Sequence, residues 1–157
     1  MEPLIVDVEN ELKFISREVE VLKRKKQRIA EEKDIENIDS HIKAIALTVH
    51  SIYSGYEKII EMLVKGLDGD VPTAVEYHSA LLKRATYEVP DIRPPIISEE
   101  TFILLNALRA YRHKLRRIYT YLISHKKVLN ITEDAIRSFE LFERDWGIFK
   151  GFILRMA

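Results

Sequence analysis

The sequence contains no cysteine, which excludes disulfide bonds, thiol catalysis and cysteine-ligated zinc sites. It also has no run approaching the roughly 18 uncharged apolar residues of a membrane span, and acidic residues near its N-terminus argue against a signal peptide. We therefore expect a cytoplasmic protein without a membrane partner. Its histidines show neither HxxH nor HxxxH spacing, so we predict no metal site, and no cofactor is expected.

An excess of charge of one sign is also missing, because Lys and Arg total 25 and so do Asp and Glu. Net charge thus predicts no nucleic-acid partner, and any basic patch must arise from local clustering. What is present is 46% hydrophobic and 32% charged residues in a chain of 157, a mixture that supports a core beneath a charged surface. No internal repeat or linker is visible, so we predict one domain over residues 1–157.

Apolar residues recur three and four positions apart in five segments, which predicts an all-α fold, an up-and-down bundle of about five helices. The first predicted helix ends in the charged stretch 31–37, and the second ends at the glycines within 66–69. A short third helix is predicted to start at Pro72, whose fixed φ suits a first turn.

Proline and capping residues place the remaining boundaries. Three prolines predict an extended connector over residues 88–95. Ser98 is predicted to cap a fourth helix that runs to Leu122, and Thr132 is predicted to cap a fifth helix that ends near the C-terminus.

The most unusual run is RAYRHKLRRIYTY at 109–121, on the predicted fourth helix. At about 100° per residue, Arg112, Arg116 and Tyr119 fall in one stripe along the edge of the apolar face, with Arg109 beside it. Guanidinium groups in such an array suit phosphate, because each offers a planar fork of donors and keeps its charge. The alternative is that these arginines face solvent and that their stems cover the edge of the bundle. The pattern leaves both interpretations open.

A second polar group interrupts the apolar face of the predicted second helix. Its members are His50, Tyr53, Ser54 and Glu57. We interpret it as a satisfied polar network or an interface patch. Tyr77 and His78 are open to the same interpretation or to a functional one.

Several stretches agree in order and spacing with one known family between Ile38 and Leu122. They are ALTVHSIYSGYEKII at 46–60, LDG at 67–69, YHSALL at 77–82, VP at 89–90, RP at 93–94, ISEET at 97–101 and YRHKLRRIY at 111–119. In these stretches the sequence resembles the HepT-like proteins of the HEPN superfamily, ribonuclease toxins encoded beside minimal nucleotidyltransferases. The resemblance implies a HEPN-type helical bundle.

The active motif of this family is Arg, four residues, His, one residue, Tyr. Arg112 takes the Arg place and Tyr119 the Tyr place, whereas Arg117 stands at the His place. The variant branch that the sequence most resembles carries Arg-His-x-x-Arg, which Arg112, His113 and Arg116 fit. The resemblance thus implies catalytic roles for Arg112, His113 and Arg116, and RNA-phosphate binding by Arg109 and Arg117.

The resemblance also implies a homodimer whose two fourth helices face each other and form one composite cleft. The implied chemistry is metal-independent RNA cleavage, in which the ribose 2′-hydroxyl attacks the adjacent phosphate, arginines stabilise the added negative charge and a histidine transfers protons. The implied partner is an antitoxin of the nucleotidyltransferase (MNT) type, which transfers AMP to the motif tyrosine. Tyr119 is the matching acceptor, with Tyr121 close by.

Two other classes of function stay open. Arg117 at the place of the motif His favours a non-catalytic HEPN interaction module that binds the nucleotidyltransferase partner or a nucleotide. We favour the enzyme, an endoribonuclease, over this module. A purely structural helical adaptor is the third class, and it leaves the clustered arginines unexplained.

Overall fold

Five α-helices dominate the computed structural model, which describes residues 1–73 and 75–156. They are α1 Glu2–Glu31, α2 Ile35–Asp68, α3 Tyr77–Arg84, α4 Glu99–Leu115 and α5 His125–Met156, with a 3₁₀ turn at Thr120–Leu122 before α5. Within the described residues the backbone forms no β-strand, only an isolated bridge between Val89 and Arg93. The predicted all-α bundle of about five helices is confirmed. None of the helices in these ranges has both the length and the apolarity that crossing a membrane requires.

All five α-helices contribute side chains to the hydrophobic core. α1 packs along α2 and also contacts α5. Its buried stripe consists of Ile5, Val8, Leu12, Ile15, Val19 and Leu22. Gly55 lets α1 and α2 approach closely, since a Cβ at that position would lie 2.7 Å from Ile15 Cγ1. A larger residue at position 55 would therefore push the two helices apart.

A buried ion pair holds the connector between α3 and α4 against the end of α2. The Asp68 carboxylate accepts hydrogen bonds from Arg93 Nε at 2.7 Å and Arg93 Nη2 at 2.9 Å, and both side chains are at most 1% exposed. Arg84 Nε donates to the same carboxylate at 2.8 Å. Burial by itself would raise the pKa of the Asp68 carboxyl, but the bonds from Arg93 and Arg84 outweigh it and the pKa is lowered. This cluster of three side chains positions α3 beside α2.

Local capping signals are confirmed at two helix ends. Ser98 Oγ accepts a hydrogen bond from the Thr101 amide at 3.3 Å, as the predicted cap of α4. The buried Asp145 of α5 supports this cap, because its carboxylate accepts from the Ser98 amide at 2.8 Å and from Ser98 Oγ at 2.9 Å. Gly69 ends α2 with a φ of 85°, a conformation that favours glycine.

Three predicted boundaries are wrong. α4 ends at Leu115 and not at Leu122. The apolar spacing predicts a longer helix because it continues into the turn that follows α4. α5 begins at His125 and not at Thr132, whose buried hydroxyl donates to the Val128 carbonyl inside the helix at 2.7 Å. α3 starts beyond Pro72, at Tyr77.

Candidate active site

The C-terminal half of α4 faces α2 and α3 across a small pocket. The side chains that line it are Tyr53, His78, Arg109, Arg112, His113 and Arg116. Four of these, the three arginines and His113, belong to the site residues predicted from the sequence. The structure thus brings most of the predicted site together, and it adds a tyrosine from α2 and a histidine from α3.

Arg112 is largely enclosed, with 13% of its side chain exposed. Its Nη1 donates to Glu57 Oε1 at 3.3 Å, and its Cζ lies 5.4 Å from the centre of the Tyr53 ring. Burial, followed by the negative charge of Glu57, raises the pKa of the Tyr53 hydroxyl, so this side chain stays neutral beneath the guanidinium. The ion pair and the cation–π contact hold Arg112 in place and leave the rest of its fork for a ligand.

Glu57 is shared between Arg112 and His78. Its second oxygen, Oε2, lies 2.7 Å from His78 Nδ1. Because a carboxylate can only accept, Nδ1 carries the hydrogen, and Nε2 of the neutral ring keeps a free lone pair. The prediction of a polar network on α2 therefore holds for Glu57, but the network reaches into the pocket. The sequence offered one signal of this: Glu57 and His78 both lie in stretches that resemble the HepT-like family.

Positive charge is concentrated on this face. Arg109 Nε donates to Asn106 Oδ1 at 3.0 Å, while Arg116 is exposed at the end of α4. Burial and then the charges of Arg112 and Arg116 lower the pKa of the nearby His50 imidazole. A phosphate group is the ligand chemistry that best matches three guanidiniums around one small pocket. In the part of the chain that the structure describes, no three His, Asp or Glu side chains converge as metal ligands.

A scan against protein-family models matches residues 44–153 to the family described as HepT-like protein. This range contains every residue that lines the pocket. The chain belongs to the HepT-like family. Searches among curated proteins and among solved structures found no significant match. The bundle is therefore of the HEPN type, and family membership suggests a HEPN-type toxin module in a toxin–antitoxin context.

Two predicted site residues of this HepT-like chain lie outside the pocket. Arg117 is exposed in the turn after α4, where it lines an open groove together with His113 and Arg116. Tyr119 is 73% exposed, and its ring stacks on that of Tyr121 with the centroids 5.9 Å apart. The predicted helical alignment of Tyr119 with Arg112 is wrong, because the helix has already ended at Leu115.

Proposed function

We propose that this HepT-like protein is the toxin of a toxin–antitoxin pair and a metal-independent ribonuclease that acts as a homodimer. The observation that carries the proposal is the convergence of Arg109, Arg112, His113 and Arg116 on one pocket. In two copies that face each other through α4, Arg112 and Arg116 would bring four guanidiniums near one RNA phosphate. Arg109 and Arg117 would bind the flanking phosphates.

The chemistry follows from these side chains. The ribose 2′-hydroxyl attacks the adjacent phosphorus, and the leaving 5′ oxygen departs with a proton. Arg112 and Arg116 stabilise the charge that develops on the phosphoryl oxygens, and His113 serves in proton transfer. The products are a 2′,3′-cyclic phosphate and a 5′-hydroxyl.

An apolar groove beside the pocket supports the dimer. It is lined by Leu47, Leu115 and Ile123 together with Arg116, and Leu47 is 68% exposed. A second copy placed on this groove would cover the exposed leucine and set its own arginines beside those of the first.

The purified protein is expected to cleave single-stranded RNA in the presence of a metal chelator and to leave cyclic-phosphate ends that mass spectrometry detects. Its expression alone should slow cell growth. A protein that neither cleaves RNA nor slows growth would leave the alternative, a non-catalytic interaction module. The observation that favours this alternative is the position of Arg117, which stands at the place of the motif His and outside the Arg112 pocket.

The proposal includes silencing by an MNT-type nucleotidyltransferase antitoxin that transfers AMP to Tyr119. The phenol is exposed just before the 3₁₀ turn Thr120–Leu122, so an enzyme can reach its oxygen. The transferred phosphate would lie on the same turn as Arg117, and the nucleotide would add bulk and negative charge where RNA is expected to pass.

Co-expression with the nucleotidyltransferase should therefore add the mass of AMP to the peptide that contains Tyr119. Tyr119→Phe should prevent this, because it removes the acceptor oxygen. Tyr121→Phe is the matched control, since Tyr121 is equally exposed and stacked on the same ring, and this variant should still be modified. Peptide mapping that finds AMP on Tyr121, or none on either tyrosine, would contradict the assignment.

A further inference from the structure

The pocket holds a second histidine besides His113, and this one comes from α3. His78 lines the same pocket as Arg109 and Arg112, and 49% of its side chain is exposed. The Asp68 cluster at the end of α2 positions the short helix that carries it. His78 is therefore accessible to a substrate and also held in place.

The partners of the two histidines differ. Glu57 Oε2 fixes the ring of His78 through Nδ1 at 2.7 Å, whereas no side chain in the described ranges hydrogen-bonds His113. An imidazole whose one nitrogen donates to a carboxylate presents the other nitrogen as a base, and the carboxylate stabilises the imidazolium that forms. This arrangement suits the removal of a proton beside a phosphate that the arginines hold.

We propose that His78 takes the proton of the RNA 2′-hydroxyl, an inference that rests on the proposed ribonuclease function. His78 thereby supplies the base that Arg117, at the place of the motif His, does not. Glu57 is its positioning residue, and it couples the base to the guanidinium of Arg112 through its other oxygen.

The proposed step moves two protons and exchanges one phosphorus–oxygen bond for another. The lone pair of His78 Nε2 takes the 2′-hydroxyl proton while the bond between O2′ and phosphorus forms. The bond between phosphorus and O5′ breaks, its electron pair stays on O5′, and His113 donates a proton to that oxygen. The base thus ends protonated and the acid deprotonated, and both return to their starting forms by exchange with water.

The test uses the full-length protein and two RNA oligonucleotides, one ordinary and one with sulfur in place of the 5′ bridging oxygen. Sulfur leaves without being protonated, so the second RNA needs a base but no acid. His78→Gln should slow cleavage of both RNAs by about 10²–10⁴-fold, the usual contribution of one acid or base. His113→Gln should slow only the ordinary RNA. His125→Gln is the matched control, because His125 also lies beside a carboxylate, that of Asp39 at 3.4 Å, but outside the pocket. This variant should cleave both RNAs at the rate of the wild type.

Two further measurements separate proton transfer from a structural role. His78→Ala should regain part of its rate when free imidazole is added, which a merely structural residue would not show. Binding of an uncleavable 2′-deoxy oligonucleotide should be unchanged in His78→Gln.

The outcomes are distinguishable from failure of the proposed function. If the wild type cleaves RNA and His78→Gln cleaves it equally fast, only the role of His78 is overturned, and the ribonuclease function stands. Loss of oligonucleotide binding in His78→Gln without imidazole rescue of His78→Ala also overturns it, and makes His78 a binding contact. A wild type that cleaves neither RNA overturns the ribonuclease and the base together.

Discussion

Replacing Asp68 with Asn is expected to lower the free energy of unfolding by about 3–5 kcal/mol, the usual cost of removing one partner of a buried ion pair. The substitution leaves the fully buried guanidinium of Arg93 without its counter-charge, although the carbonyls of Tyr87, Pro94 and Arg84 still accept from it. For a chain of this length the thermal midpoint should fall by roughly 10 °C. Thermal and urea unfolding followed by circular dichroism measure both quantities.

Asp70→Asn is the matched control. Asp70 accepts from Arg84 Nη2 at 2.9 Å, but 74% of its side chain is exposed. An exposed pair of this kind contributes at most about 1 kcal/mol, so this variant should unfold close to the wild type. Equal losses of unfolding free energy in Asp68→Asn and Asp70→Asn would show that Asp68 does not stabilise the fold through its buried pair.

The Asp68 pair also predicts a pH dependence. Burial acts to raise the pKa of the Asp68 carboxyl, but hydrogen bonds from Arg93 and Arg84 lower it below the ordinary value of 3.8. A lowered folded-state pKa contributes stability that is fully present above the unfolded pKa and is lost as the pH falls through the folded one. The difference in stability between wild type and Asp68→Asn should therefore be constant near neutral pH and shrink once the pH falls below about 4.

Replacing Arg112 with Ala is expected to reduce RNA cleavage by about 10³–10⁵-fold, the usual contribution of an arginine that stabilises charge in phosphoryl transfer. In a homodimer the substitution removes two charges from the composite cleft. Because Arg112 is largely enclosed and bonded to Glu57, we also expect a stability loss of about 1–3 kcal/mol, so the rates should be compared below both thermal midpoints.

Two further variants isolate the chemistry. Arg112→Lys keeps the charge but loses the planar fork, and it should remain nearly inactive while losing less stability than Arg112→Ala. Arg137→Ala removes an exposed arginine that pairs with Glu100 on the far end of α4, and its cleavage rate should be unchanged. Arg112→Ala cleavage at the rate of the wild type would contradict the role of this guanidinium in catalysis.

Features that depend on neighbouring residues in the chain could be predicted from the sequence. The apolar spacing gave the number of helices, Ser98 gave the start of α4, and Gly69 gave the end of α2. The arginine cluster was also predictable, because Arg109, Arg112 and Arg116 share one face of a single helix over a few turns.

Features that depend on contacts between residues far apart in the chain could not be predicted from the sequence. Asp68 and Arg93 lie on different elements, and no periodicity connects them. The same holds for His78 on α3 and Glu57 on α2, which periodicity placed in unrelated segments. The end of α4 is not predictable from the apolar spacing, because this spacing continues past Leu115. The basic residues of its last turn favour a helix C-terminus, but they fit a phosphate-binding stripe equally well.

The close fit of Ile15 against Gly55 limits where this protein can be truncated. Similarity to the family begins at residue 44, inside α2, whereas the packing extends back through α1. A fragment trimmed to the region of similarity would lose the Asp34 cap of α2 and the whole apolar stripe of α1, and it would present the bare face of α2 to water. The region of family similarity, residues 44–153, is thus shorter than the region whose packing forms the bundle.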